Sequence, residues 1–360
     1  MKYALIGCGR IAKHHINAAK ECGLEIVALC DLQKEKAQRY ISEFELPQST
    51  HIYTDYQEMI KKLDIDLISI ATESDAHAPI AINLIKNKIN VIIEKPIALS
   101  LVDAHQIMEL ADKHAVKVCV CHQNRFNPAV QNMRNALEEG RFGKLTHGSV
   151  HIRWNRGANY YARGDWRGTW KQDGGALMNQ CIHGIDMLLW MIGSDIVSVY
   201  GVIRRVNHDY IESEDLGMAL IQFANGTIVT IEGTTNTYIE AEEACLCLYG
   251  ICGAVKLGGA TINNIEEWQF AEKVPTDKNM LVKETVKNVY GNSHPRIFED
   301  MIGAINENRK PYISISDSVK AMSVILAIYK SHQEGKAVYF PYGDFSTLEM
   351  IGTFSGGKDV

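Results

Sequence analysis

The sequence predicts an α/β chain of two domains: an N-terminal doubly wound parallel sheet, then an α/β domain with an open, mainly antiparallel sheet. Three observations predict it. Short apolar runs and helical patterns alternate strictly through the first third of the chain. A glycine turn joins the first strand to the first helix. Beyond about residue 122 the strands follow one another, and Asn225-Gly226 between two of them is a hairpin signal.

First-domain strands are expected at Tyr3–Ile6, Glu25–Cys30, Leu67–Ala71, Val91–Glu94 and Val116–Val120, with helices near 11–22, 33–43, 77–87 and 100–114. These strands are apolar on both faces, as a parallel sheet covered by helices requires. A helix over Pro128–Glu139 leads through Gly140 and Gly143 to a strand around Thr146–Trp154. A loop crowded with Arg, Tyr, Trp and Gly spans Asn155–Gly175, and a helix over Ala176–Ile192 stops at Gly193. Five β-rich runs follow, at Val197–Val206, Leu216–Phe223, Thr227–Thr234, Ala244–Tyr249 and Ala254–Leu257. Strands joined by a tight turn pair antiparallel, so these belong to a second sheet. Helices near 294–308 and 316–333 close the chain, and no internal repeat is visible. The expected domains are 1–122 and 123–345, with a tail at 346–360.

Composition narrows the function classes. A chain of 360 residues exceeds one ordinary core. The net charge of −6 supplies no global positive field, so nucleic acid is not an expected partner. No stretch approaches the roughly 20 apolar residues of a membrane span, and the run before Gly7 is too short for a signal-peptide core. Nine cysteines occur without a CxxC pair; Cys119/Cys121 and Cys245/Cys247 each fall on one strand face and read as buried free thiols. The odd count and the missing export signal point to a reducing cytoplasm.

Gly7-Cys8-Gly9-Arg10-Ile11-Ala12 matches G-x-G-x-x-G/A directly after a strand and at the opening of a helix. Such glycines let a pyrophosphate approach backbone N–H groups at the helix N-terminus. Asp31 ends the next strand at the spacing where a carboxylate takes ribose hydroxyls and repels a 2′-phosphate. The first domain is therefore expected to be of the Rossmann type and to bind NAD.

Glu94-Lys95-Pro96 follows the fourth strand, near the carboxyl edge where ligands of such sheets bind. A lysine there suits polarisation of a developing carbonyl oxygen. In Gly174-Gly175-Ala176-Leu177-Met178-Asn179-Gln180-Cys181-Ile182-His183-Gly184-Ile185-Asp186, Asn179 and His183 stand four apart and share a helix face. An imidazole there suits removal of a hydroxyl proton, although the spacing alone reads more readily as a hydrogen-bonded core histidine. No carboxylate or second histidine completes a metal set with it, so no metal is expected. Arg153, Arg156, Arg163 and Arg167 cluster in sequence with Trp154, Tyr160, Tyr161, Trp166 and Trp170. Guanidinium forks suit diphosphate or carboxylate and aromatic faces suit a ring; the same residues would also serve an interface.

With these pieces the chain resembles the Gfo/Idh/MocA family (glucose–fructose oxidoreductase, inositol dehydrogenase and relatives) over nearly its whole length. The resemblance rests on GCGRIA with Asp31, Ala71-Thr72…His77, Glu94-Lys95-Pro96, Trp166-Arg167, the GGALMNQCIHGID segment and Glu214-Asp215. It implies a Rossmann domain and an open-sheet domain through which members often tetramerise, hence a homo-oligomer, tetramer or dimer. It implies that Lys95 and His183 act on the substrate. Cofactor contacts would fall on Gly7, Gly9, Arg10, Ile11, Asp31, Thr72, His77, Glu94, Lys95, Gln123, Asn124, Trp166 and Arg167. Substrate contacts would add Arg156, Tyr160, Arg163, Arg167, Asn179 and Gln180 to the two catalytic groups. The family usually has Asp where this chain has Asn179, and an amide can bind a sugar hydroxyl but cannot relay a proton.

Arg153-Trp154, Tyr160-Tyr161, Trp166-Arg167-Gly168-Thr169-Trp170, Asp173-Gly174-Gly175 and Met178-Asn179-Gln180 are similar to one branch of that family. It comprises the UDP-N-acetyl-2-amino-2-deoxyglucuronate 3-dehydrogenases of bacterial surface-polysaccharide synthesis. The resemblance thus implies oxidation of a UDP-sugar acid at C3. Inositol or a simple sugar is the alternative within the family, and a non-catalytic sugar- or NAD-sensing regulator is the alternative of another class.

Overall fold

The computed structural model describes residues 1–238, 242–280 and 293–354. The chain forms two compact units. The first comprises Met1–Ala98, Val102–Gln123 and Asn292–Val319; the second comprises Leu99–Leu101, Asn124–Gly291 and Lys320–Val360.

In the first unit β1 (Lys2–Ile6), β2 (Glu25–Cys30), β3 (His51–Tyr53), β4 (Leu67–Ile70), β5 (Asn90–Ile93) and β6 (Val118–Val120) form one sheet in the order β3-β2-β1-β4-β5-β6. Every pairing is parallel. Helices α1 (Ala12–Glu21), α2 (Lys34–Glu43), α3 (Tyr56–Lys62), α4 (Ser74–Lys86) and α5 (Leu101–His114) are the crossovers. The order reverses beside β1, which makes the carboxyl ends of β1 and β4 the crevice for a ligand. Leu5, Leu29, Leu67, Ile68, Val91 and Ile92 are fully buried, each contributing about 1.5–3 kcal/mol by leaving water. The sequence pattern did not predict β3 and α3: β3 is only three residues long, and its side chains are half-exposed or exposed.

One further helix joins this unit. The segment α9 (His294–Asn306) packs against α1 with Ile297, Phe298, Met301 and Ala304 buried at helical spacing. Phe298 meets Tyr3 edge-on at 5.5 Å. The boundary expected at residue 122 left α9 with the second domain, because its apolar stripe does not reveal which core it will join.

The second unit holds an eight-stranded sheet in the order β13-β12-β11-β7-β10-β9-β8-β14. Its strands are β7 (Leu145–Arg153), β8 (Ile196–Arg204), β9 (Leu216–Phe223), β10 (Ile228–Thr234), β11 (Glu243–Gly250), β12 (Gly253–Gly258), β13 (Asn264–Phe270) and β14 (Val338–Tyr339). All neighbours are antiparallel except the parallel pair β7 and β10. Gly226, at φ 86°, makes the expected turn between β9 and β10. The edge strand β13, with Glu266, Glu267 and Gln269, carries no apolar run for a sequence pattern to find.

The unit's helices are α6 (Pro128–Glu138), the single turn α7 (Ala158–Tyr161), α8 (Ile182–Ile192) and the larger part of α10 (Ile315–Glu334). One face of the sheet is covered by α8: a Cβ on Gly184 would lie 2.9 Å from both Val150 and Ile152. Likewise α10 covers β8, where a Cβ on Gly201 would lie 2.7 Å from Ile328. Of the expected tail, Thr347–Met350 form a turn of 3₁₀ helix, and residues 355–360 lie outside the described residues.

Candidate active site

In the first unit, β1 delivers Gly7 at φ 94°, and a Cβ there would lie 2.4 Å from the Ala71 carbonyl at the end of β4. Only glycine fits where two strand ends approach so closely. Around Gly9 a Cβ would meet nothing within 4 Å, so the turn faces open space. No side chain caps α1 and its first turn holds no acidic residue, which leaves the positive helix end for an anion. Arg10 is exposed and Ile11 half-exposed beside that end.

Asp31, at the end of β2, is half-exposed. Its carboxylate accepts from the Cys8 N–H at 2.8 Å and the Gln33 N–H at 2.8 Å. Tyr40, which sequence reading missed, donates its hydroxyl to the Gly9 carbonyl at 2.7 Å and pins the loop from α2. Its only sequence signal is its buried position on α2.

At the ends of β4 and β5, buried His77 lies 2.7 Å from the Pro96 carbonyl and 3.2 Å from that of Thr72. It braces the two loops together, and burial lowers its pKa. Thr72 and Lys95 are half-exposed on those loops. Glu94 instead turns inward: its carboxylate meets His15 at 3.0 Å and accepts from the Lys95 N–H at 3.2 Å. Among the described residues, buried Gln123 Oε1 takes no hydrogen bond. The glycine cradle, the uncapped helix end and the Asp31 carboxylate together fit a dinucleotide.

The second unit supplies the other set. Gly174 and Gly175, at φ 80° and 89°, start a helix whose first turn is π-helical over Leu177–Cys181 and which continues as α8. The widened turn replaces the uninterrupted α-helix that the sequence pattern suggests, and such turns recur at functional sites. Glu214 seats this start. Its Oε1 accepts from the Leu177 N–H at 2.8 Å and the Tyr329 hydroxyl at 2.9 Å. A Cβ on Gly175 would lie 1.7 Å from Glu214 Oε2. Burial pushes the Glu214 carboxyl up to about 8.

From Gly184 to Leu189 the helix is buried, whereas Asn179 and His183, four residues apart, are both half-exposed. Asn179 donates its amide N–H to Asp173, whose other oxygen accepts from the Gly168 N–H at 2.7 Å. The amide is therefore held by its nitrogen. Asp173 stood inside the sequence segment, but nothing in its spacing signalled that it holds Asn179. His183 lines a shallow recess with Asn124, Trp154, Gln180, Met187 and Thr261. Asn124 Oδ1 is buried there without a hydrogen bond among the described residues.

Beside this recess the Tyr160 hydroxyl accepts from Arg167 at 2.6 Å and from Gln180 at 3.0 Å. The Arg167 guanidinium stacks on Tyr160 at 4.6 Å and on Trp166 at 4.2 Å. Among the described residues it meets no carboxylate, and its Nε is buried without a partner. Arg156 pairs with Glu242 and lies over Trp154 at 4.7 Å. The remaining residues of the cluster diverge. Arg153 pairs with Glu232 at 2.6 Å on the sheet, Arg163 is exposed, and Trp170 is fully buried core.

A Rossmann unit with a carboxylate at the end of its second strand, joined in one chain to this second unit, defines an NAD-dependent oxidoreductase of the CH–OH class. Residues 1–122 match the oxidoreductase family with an NAD-binding Rossmann fold, and residues 130–255 match the GFO/IDH/MocA C-terminal domain. The chain belongs to the Gfo/Idh/MocA family. The WlbA dehydrogenase from Bordetella pertussis, solved with NADH and UDP-GlcNAcA, is 31% identical at a TM-score of 0.88, covering 95% of this chain and 98% of that one. WlbA from Chromobacterium violaceum, with the same two ligands, is 29% identical at a TM-score of 0.86, covering 95% and 96%. Among curated proteins, D-apiose dehydrogenase of Paraburkholderia graminis is 25% identical, covering 99% of this chain and 94% of that one.

Proposed function

We propose that the protein oxidises the C3 hydroxyl of UDP-N-acetyl-2-amino-2-deoxyglucuronate to a ketone. The observation that carries this reading is the likeness to WlbA over 95% of the chain. The oriented Asn179 and the uncompensated Arg167 support it, because a UDP-sugar acid brings both ring hydroxyls and negative charge. Inositol offers no such charge.

Bound NAD supplies the hydride acceptor. The glycine turn and the α1 N-terminus hold its pyrophosphate, and Asp31 takes ribose hydroxyls while its charge disfavours a 2′-phosphate. His183 removes the C3 hydroxyl proton as the C–H bond breaks, and Lys95 stabilises the oxygen as it becomes a carbonyl. Asn179 takes a neighbouring hydroxyl. Arg167 holds a carboxylate or phosphate oxygen with Tyr160 and Gln180 around it, and Arg156 and Arg163 add charge.

The chain works as a homo-oligomer. The uncovered face of the eight-stranded sheet exposes Tyr200, Met218, Leu220 and Ile228, and an apolar patch of this kind is covered in many assemblies. Its nine free cysteines suit a reducing cytoplasm. Among the described residues no helix is long and apolar enough to cross a membrane.

The test is a substrate panel followed by reduced-nicotinamide absorbance: UDP-N-acetylglucosaminuronate, UDP-N-acetylglucosamine, free N-acetylglucosaminuronate and myo-inositol. Turnover confined to the first is expected. Faster turnover of inositol would sink the substrate assignment and leave the family untouched.

A further inference from the structure

We propose that His15 and His294 are positioning residues: imidazoles from α1 and α9 clamp the Glu94 carboxylate, which holds the peptide that carries Lys95. The inference rests on the reading of Lys95 as the group that stabilises the substrate oxygen.

Glu94 directly follows β5 with its side chain directed into the unit, 7% exposed. A carboxylate there needs partners, because burying an unpaired charge costs more than the fold can supply. Its Oε2 accepts from the Lys95 N–H at 3.2 Å, a local bond that fixes the orientation of the Glu94–Lys95 peptide. Its Oε1 lies 3.0 Å from His15 Nε2. On the same oxygen, His294 Nε2 stands 3.8 Å away.

His294 is 3% exposed, and neither of its ring nitrogens has a hydrogen bond among the described residues. A buried imidazole aimed at a carboxylate and short of contact by under about an ångström completes a second charge-assisted bond with a small shift. The ring is held for that role: His14 stacks on it at 5.2 Å, and His15 meets it edge-on at 5.8 Å. Phe298, one turn further along α9, packs edge-on against His15 at 5.8 Å.

The protonation directions agree with a clamp. Burial pushes the Glu94 carboxyl up, but the hydrogen bond from His15 and the nearby His294 imidazole outweigh it and hold it well below the usual range. Burial lowers His15, despite the bond to Glu94. A neutral His15 donating Nε2–H to an ionised Glu94 satisfies both. The titratable groups near the carboxylate are His15 and His14 of α1, His77 of α4, His294 of α9, Cys121 after β6, and Lys95. No sequence motif linked these residues, since His294 arrives from the far end of the chain.

The test reads Lys95 directly. In full-length protein labelled with ¹³Cε-lysine, the Lys95 resonance is assigned by its loss in Lys95→Arg. His294→Leu and His15→Leu are expected to move that resonance and its titration midpoint, and to lower kcat at least about tenfold. The dissociation constant for NAD should stay within about threefold. His294→Gln and His15→Gln, which keep an N–H donor, should recover most of the loss, and they remain informative if a leucine variant does not fold. An unmoved Lys95 resonance in every folded variant overturns the proposal. A moved resonance with unchanged kcat keeps the clamp and removes Lys95 from the chemistry instead. The three ligand atoms also lie within 4.8 Å of one another. Stoichiometric zinc in the purified holoprotein, lost in His294→Leu, would therefore replace the clamp with a metal site.

Discussion

At the scale of single residues, the groups proposed to carry the reaction differ sharply in what fixes them. Lys95→Met and His183→Asn should each lower kcat by about 10²- to 10⁴-fold, the usual worth of a proton-transfer group, with NAD affinity unchanged in a fluorescence titration. Full activity in both variants would remove them from the mechanism. Asp31→Ser removes the carboxylate that repels a 2′-phosphate, so the ratio of kcat/KM for NADP over NAD should rise at least about tenfold. Glu214 gives a stability test. Its folded pKa, raised by burial to about 8 from the ordinary 4.5, means that the folded protein holds a proton the unfolded chain gives up. Its contribution is thus full below about 4.5 and is lost as pH rises through 8. Thermal melts of Glu214→Gln against the parent should favour the variant more at pH 8 than at pH 5. A constant difference would show that Glu214 stays ionised throughout. Local spacing in the sequence marked Gly7 and Asp31, and the family resemblance added Lys95, Asn179 and His183 as candidates. The sequence hid Asp173 behind Asn179 and Glu214 behind Gly175, because those are contacts between side chains and backbone that no periodicity encodes.

At the scale of elements, the helix that carries His183 is set by three supports: the Glu214 seat, the close approach of Gly184 to β7, and a buried ion pair. Arg125 Nε and Nη2 grip Asp186 at 2.7 and 2.6 Å, with both side chains 1% exposed. Removing one partner leaves an uncompensated charge, so Asp186→Leu should cost about 3–5 kcal/mol in urea denaturation. Arg125→Leu with Asp186→Leu should cost less than the single change; a double cost equal to the sum of the two single costs would mean that the pair is not coupled. Gly184→Val would press side-chain atoms into Val150 and Ile152, for which about 1–3 kcal/mol is expected. Most elements were legible because buried parallel strands and amphipathic helices write their periods into the sequence. The π turn was not, since the bonds from Asp173 and Glu214 that hold it come from outside Leu177–Cys181. Strands β3 and β13 escaped as short or charged sheet edges.

At the scale of the whole molecule, the fold class was legible from βα alternation followed by a hairpin, whereas the return of α9 to the first unit was not. Exposure of Met218 at 50% and Leu220 at 42% on the open sheet face leads to a prediction about assembly. Met218→Glu with Leu220→Glu should convert an oligomer to monomers in light scattering coupled to gel filtration. A parent protein that is already monomeric at micromolar concentration would contradict the proposed assembly.

The most direct test of the central claim is hydride transfer itself. The protein is incubated with NAD and UDP-N-acetylglucosaminuronate deuterated at C3, and the nicotinamide is weighed by mass spectrometry. The account predicts deuterium in the reduced cofactor and a 3-keto product. Reduced cofactor without deuterium would place the oxidation at another carbon, and no reduction at all would contradict the account.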